Sequence, residues 1–214
     1  MSAQCCGGGA RFDGMSPGFR RALWAVIVIN AAMFAIEVVA GQLASSQALK
    51  ADALDFAADT ATYAISLAVI GRPLRTRALA AIAKGASLSL MGFWVLGSTL
   101  WQLLGPGLPE ARVMGAIGLL ALAANLASVL LLLRWREGDA NVRSVWLCSR
   151  NDAIGNVAVM AAALGVFGTR TAWPDLAVAA GMSGLFLTSA ALILRQAVGE
   201  YRAGASRPRP LVLP

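Results

Sequence analysis

Asp52, Asp55 and Asp59 fall inside one largely apolar segment, ALKADALDFAADTATYAISLAVIG, residues 48–71. In a helix, residues four apart stack on one face, so Asp55 and Asp59 share a face and Asp52 lies near it. A lone carboxylate at the middle of a bilayer costs at least about 2.5–3.5 kcal/mol on insertion scales. Neighbouring carboxylates also repel one another. Something positive must compensate them: a basic side chain, protons or a metal ion. A second segment, WLCSRNDAIGN, residues 146–156, repeats the spacing. It puts Cys148 and Asp152 four apart on one face, and Asn156 continues that face. If the two segments pack together, Asp55, Asp59, Cys148 and Asp152 form a cage of four ligands. A d10 cation such as Zn2+ accepts tetrahedral coordination by mixed sulfur and oxygen donors.

The elements that must position these residues are membrane helices. The chain of 214 residues is 58% hydrophobic and only 14% charged, against about 45–50% and about 25% for soluble domains. Its mean hydropathy is +0.67. The pattern predicts an all-α integral membrane protein with six spans near residues 20–44, 49–71, 77–104, 110–134, 143–167 and 173–198. Residues 1–19 read as an N-terminal tail, 20–200 as the membrane domain and 201–214 as a flexible, Pro-rich C-terminal tail. The first apolar run, beginning near Ala22, is long enough to be a retained span rather than a cleaved signal. Basic residues gather on one side: Arg11, Arg20 and Arg21, then Arg72, Arg75 and Arg77, then Arg134, Arg136 and Arg143, then the C-terminal arginines. Lys50, Arg112 and Arg170 fall on the other. That asymmetry predicts both termini in the cytoplasm. The net charge of +7 is spread between apolar runs, which excludes a nucleic-acid patch. The six tryptophans fall mostly near span ends, as an interfacial belt does. Histidine is absent, which removes the commonest metal ligand and pH switch.

The paired four-residue spacing on spans two and five of six resembles the cation diffusion facilitators. The resemblance covers roughly residues 18–200. It is carried most specifically by ADALDFAAD, residues 51–59, and NDAIGN, residues 151–156. Weaker matches are Asn30, Val39-Ala40-Gly41, Asn125 and Trp173-Pro174-Asp175. That family consists of divalent-metal/proton antiporters, usually homodimers. The resemblance implies that Asp55, Asp59, Cys148 and Asp152 hold a transported divalent metal, Zn2+ first, with Cd2+, Co2+ and Ni2+ as alternatives. No permanently bound cofactor is expected, and the protein is not expected to be an enzyme. It implies a multi-pass protein of a bacterial inner membrane. Cys148 stands where the family usually has His or Asp. Histidines usual between spans two and three are missing, and the chain ends soon after span six, so the usual cytoplasmic domain is not expected.

Thiolate at Cys148 favours Zn2+ or Cd2+ over Mn2+ or Mg2+. Thiol and carboxyl groups must lose protons to ligate, so metal binding and proton release are linked. Each residue also has a plainer reading. Asp55 and Asp59 can be bundle salt-bridge partners, and Cys148 an inert filler. Asp52 is expected to pair with Lys84 in span three. Arg150 either neutralises Asp152 or snorkels to the surface. Glu37 is a proton relay or a structural partner. Cys5-Cys6 either passes soft metal to the mouth or is part of a featureless tail. Gly92, Gly97, Gly115, Gly118, Gly155, Gly181 and Gly184 are expected at close helix contacts, and Lys84-Gly85-Ala86-Ser87 on a dimer surface. The rival function is a membrane metal sensor or accessory subunit that does not transport. A proton-coupled exporter of small organic molecules would use the same acids without Cys148.

Overall fold

A computed structural model describes residues 16–68, 74–105, 107–136 and 140–205. Within these the side chains of residues 140–148, 150 and 151, with a few at other helix ends, lie outside the description. The described residues form six helices: α1 Pro17–Leu43, α2 Gln47–Ala68, α3 Leu74–Gln102, α4 Ala111–Leu132, α5 Ala140–Thr169 and α6 Trp173–Ala205. A single 3-10 turn, Leu133–Trp135, extends α4. The expected six spans correspond to these helices, and the all-α membrane class holds.

Local chemistry sets the helix ends. Ser16 caps α1, its Oγ accepting the Phe19 amide at 3.2 Å, with Pro17 in the first turn, where a missing N–H costs nothing. The α1–α2 corner turns through Ser45, at φ 50°, and the α5–α6 corner through Arg170, at φ 55°. Glu110 caps α4.

Among the described residues, five helices contain stretches apolar and long enough to cross a membrane. Helix α2 is the exception. Its 22 residues reach about 33 Å at 1.5 Å per residue, enough for a hydrocarbon core of about 30 Å. Its composition falls short because Lys50, Asp52, Asp55 and Asp59 lie within it. The helix is shielded instead: α1 packs along it most extensively, and α3, α5 and α6 also touch it. Helices α1, α2, α4 and α5 form one group. Helices α3 and α6 pair closely with each other and lie against α2 and α5.

Three apolar clusters stack along the bundle. Phe19, Leu23, Val26, Tyr63 and Leu132 fill the end nearest the N-terminus. Met33, Phe56 and Ala121 fill the middle. Ala48, Leu49, Ala51, Met114, Val159, Met182 and Phe186 belong to the cluster at the end of the α1–α2 corner, here called the corner end. The opposite surface of the helices is apolar and exposed, as at Leu43, Leu90, Leu104 and Leu164. Trp24, Trp94, Trp101 and Trp173 are exposed too, in keeping with an interfacial belt. Trp135 is instead half-buried against Phe19, edge to face with ring centroids 5.6 Å apart, and the Trp146 side chain lies outside the described residues.

The glycine expectation is half right. A Cβ on Gly92 would meet Leu187 at 2.9 Å and one on Gly118 would meet Met160 at 3.2 Å. Gly115 would only just touch Ala163, at 4.0 Å, and Gly97, Gly155, Gly181 and Gly184 face nothing within 4 Å; Gly97, Gly181 and Gly184 lie on exposed faces. Gly85 packs against Leu194 of α6, so within the expected dimer strip it is an internal contact. Gly165 is the tightest against a rigid group: a Cβ there would meet Pro174 Cβ at 2.8 Å. Gly165→Ala is therefore expected to destabilise by about 1–3 kcal/mol through overpacking. Gly184→Ala should leave stability unchanged or slightly raised. Thermal unfolding of both in detergent, each compared with the native protein, checks this.

Candidate metal centre

Asp52, Asp55, Asp59, Tyr63 and Ser66 follow one another at helical spacings of three and four, so α2 carries a polar stripe on one face. The fold turns that stripe inward. Asp52 and Asp59 are buried, as are Tyr63 and Ser66, and Asp55 is half-buried.

Contact between α2 and α5 is explicit at the Tyr63 level. The Tyr63 hydroxyl donates to Asp59 Oδ2 at 2.5 Å and lies 3.2 Å from Ser149 Oγ of α5. One turn further along α5, the Asp152 carboxyl interacts with those of both Asp55 and Asp59. Three carboxylates from two helices thus converge; their spacing left open whether the two helices pack together. Cys148 lies in α5 one turn before Asp152, but its side chain is outside the described residues, as are those of Arg150 and Asn151. Cys5 and Cys6 also lie outside them. Among the described residues no three Cys, Asp or Glu side chains are already arranged as a metal cage.

Asp52 does not pair with Lys84. Lys84 Nζ donates to Ser66 Oγ at 3.1 Å and acts electrostatically on Asp59. Ser66 is 14 residues beyond Asp52, about 21 Å along the helix axis, which no lysine side chain spans. Asp52 instead faces Glu37 of α1, with Asp55 next to both. Glu37 is fully buried, and among the described residues no N–H or hydroxyl donor reaches either of its oxygens or Asp52 Oδ2; the two carboxyls are left to each other and bond only when one holds a proton. Buried amide oxygens of Asn30, Asn125 and Asn156 are likewise unpartnered. Buried polar atoms of this kind are normally satisfied, so these stand out among the described residues of the bundle interior.

Tyr63 and Ser149 were not among the residues singled out from the sequence. Their signal was helical register: Tyr63 is four residues after Asp59, and Ser149 three before Asp152.

A family model described as the cation efflux transmembrane domain matches residues 23–200. The chain is 30% identical over 174 residues to the metal cation efflux system protein CzcD of Cupriavidus metallidurans, a match covering 76% of this chain and 55% of that protein. It is 31% identical over 199 residues to the zinc transporter ZitB of Escherichia coli, covering 87% of this chain and 63% of that protein. A ZitB of Pectobacterium atrosepticum is 27% identical over 200 residues, covering 87% and 62%. The chain therefore spans between about half and two thirds of the length of these relatives.

Tyr63→Phe removes the hydroxyl that holds Asp59 but keeps the ring in its apolar cluster. A hydrogen bond to a charged group is worth about 1.5–3 kcal/mol. The variant is expected to melt several degrees below the native protein in detergent, with Ser149→Ala losing less. Equal melting of Tyr63→Phe and the native protein would show that this bond does not hold Asp59.

Proposed function

The chain belongs to the cation efflux transmembrane family, and from that premise we propose that it exports a divalent transition-metal cation in exchange for protons through one site inside the membrane. The observation that carries this reading is the convergence of Asp55 and Asp59 from α2 with Asp152 from α5. Cys148, one turn before Asp152 on α5, supplies the fourth donor. Two or three carboxylates and a thiolate suit Zn2+ first, Cd2+ next, then Co2+ and Ni2+. The names of the relatives, a metal cation efflux protein and a zinc transporter, support the same class of cargo.

Exchange follows from the chemistry of the donors. Each must be deprotonated to ligate, so a cation entering the site displaces protons, and protons re-entering from the far side displace the cation. No histidine is present to carry them, so the carboxyls and the thiol do. The asymmetry of basic residues supports an orientation with both termini, and hence the N-terminal end of the bundle, in the cytoplasm. Export then runs from that end to the corner end of α1 and α2. The working form is a homodimer, with lipid around the exposed apolar faces.

The test is Zn2+-driven proton flux in sealed proteoliposomes holding the purified protein, Asp59→Ala or Cys148→Ser. We expect flux in the native protein, its loss in Asp59→Ala by at least tenfold, about 1.4 kcal/mol of transition-state stabilisation, and a shifted Zn2+/Cd2+ preference in Cys148→Ser. Flux indifferent to both substitutions would refute the site. Specific Zn2+ binding with no flux in any of the three would point to a sensor or accessory subunit.

A further inference from the structure

Three helix starts meet at the α1–α2 corner. The Ala44 carbonyl accepts the amide of Glu110, which caps α4, at 3.0 Å. Ser46 Oγ accepts the Leu49 amide at 3.1 Å and so caps α2. Asp175, in the first turn of α6, is completely buried. Its Oδ1 accepts from Ser46 Oγ at 2.6 Å and the Ala48 amide at 3.0 Å, and its Oδ2 accepts the Gln47 amide at 2.8 Å. One carboxylate therefore sits at the start of two parallel helices. The partial positive charges of both helix ends and three hydrogen bonds compensate it, and Lys50 is the charged side chain that faces it. This is a cap supplied to α2 by another helix.

Gln47 extends the tie to α3. Its Nε2 donates to Gln102 Oε1, and its Oε1 accepts from Ser98 Oγ at 3.1 Å. Gln102 Nε2 in turn donates to the Ser45 carbonyl at 3.1 Å. A cleft of about 820 Å³ opens beside this network, with Gln47, Lys50, Ser98 and Gln102 in its wall. On the other side of the network lies the corner-end apolar cluster, including Ala48, Leu49 and Ala51, and after it the α2 carboxylates. Cleft, polar clasp, apolar layer and carboxylates thus follow one another along α2.

We propose that Asp175 is the positioning residue of a corner-end gate. Its carboxylate holds the first turn of α2 against α6, keeps the apolar layer closed between cleft and carboxylates, and has to release α2 for a cation to leave by that end. Asp175 touches neither cargo nor ligands. It acts through α2, whose Asp55 lies seven residues after Ala48, about 10 Å along the same rigid helix. The proposal deepens the transport reading and rests on it, but its readout does not require flux.

The test is side-specific labelling. Cys5, Cys6 and Cys148 are replaced by serine, and Ala51, fully buried, by cysteine. A membrane-impermeant thiol reagent is applied from each side of sealed, oriented vesicles. Asp175→Asn keeps the shape but sets an amide nitrogen against an N–H or O–H donor. It should raise labelling of position 51 from the corner side roughly tenfold, the change that one lost charge-assisted hydrogen bond carries, and leave labelling from the other side unaltered. Asp175→Glu should restore part of the protection. Unchanged labelling in Asp175→Asn, or an equal rise from both sides, would overturn the gate. If Asp175→Asn does not fold, Ser46→Ala, which removes the hydroxyl's bond to Asp175 and its cap on the Leu49 amide but leaves Asp175 on the Gln47 and Ala48 amides, decides the question: a side-selective rise supports the gate and its absence refutes it. Zn2+ flux measured separately on the native protein reports on the transport reading, so failure of one is distinguishable from failure of the other.

Discussion

Carboxylates inside an apolar bundle must be compensated, and the rest of this structure follows from how that is done. Asp52, Asp55 and Asp59 make α2 too polar to face lipid, so the helix has to be enclosed. The fold meets this by packing α1, α3, α5 and α6 around it and turning the exposed apolar surface of those helices outward. The hydrophobic effect contributes little to helix association in lipid. Close contacts such as Gly165 on Pro174 and Gly92 on Leu187, together with polar ties between helices, therefore carry more of the cohesion than they would in a water-soluble protein.

The buried acids are compensated in two distinct ways. Asp175 is satisfied completely by protein groups: a hydroxyl, two backbone amides and two helix ends. That is what a structural carboxylate needs. Asp59 receives the Tyr63 hydroxyl, the Asp152 carboxyl and the distant influence of Lys84, while Glu37 and Asp52 face each other, and among the described residues no N–H or hydroxyl donor reaches either Glu37 oxygen or Asp52 Oδ2. Such groups rely on something that is not part of the chain, a proton or a cation. The contrast separates the acid that holds the scaffold from the acids along α2 and α5, which the proposed transport reading assigns to a travelling charge.

Much of this was legible in the sequence. Apolar runs and the breakers between them give all six helices, because span length is set by bilayer thickness rather than by tertiary contacts. The four-residue spacing of Asp55 with Asp59 and of Cys148 with Asp152 marks the two helices whose acids converge. What spacing does not contain is axial level between helices. Lys84 and Asp52 look like partners as the acid and the base of adjacent spans, yet antiparallel packing sets Lys84 beside Ser66 and leaves Asp52 to Glu37. Glycines mislead for a related reason. Gly92 and Gly184 look alike in sequence, and only the identity of the neighbouring helix decides that one is a contact and the other open surface. In the sequence Asp175 stands out only as part of the Trp173-Pro174-Asp175 match that opens span six. Its role as a cap for another helix depends on α2 and α6 starting side by side.

On the proposed transport reading, the division of the bundle bears on how an enclosed site would exchange its cargo. Helices α3 and α6 form a tight pair, bound internally by Ser183 Oγ on the Gly92 carbonyl at 2.8 Å. Their polar ties to α2 concentrate at two levels. At the corner end Asp175 reaches Ser46, Gln47 and Ala48, while Ser98 and Gln102 engage Gln47; near the opposite end Lys84 reaches Ser66. Beyond the corner-end clasp, Val95 of α3, Phe186 of α6 and Ala51 of α2 belong to one apolar cluster, whose side chains make no directional bond. A pair held to α2 by polar bonds at its ends and by apolar surface between them is built to rock, and the acids lie between the two sets of bonds. Breaking one set while keeping the other would open the acids to one side at a time, which is the requirement that alternating access places on any carrier.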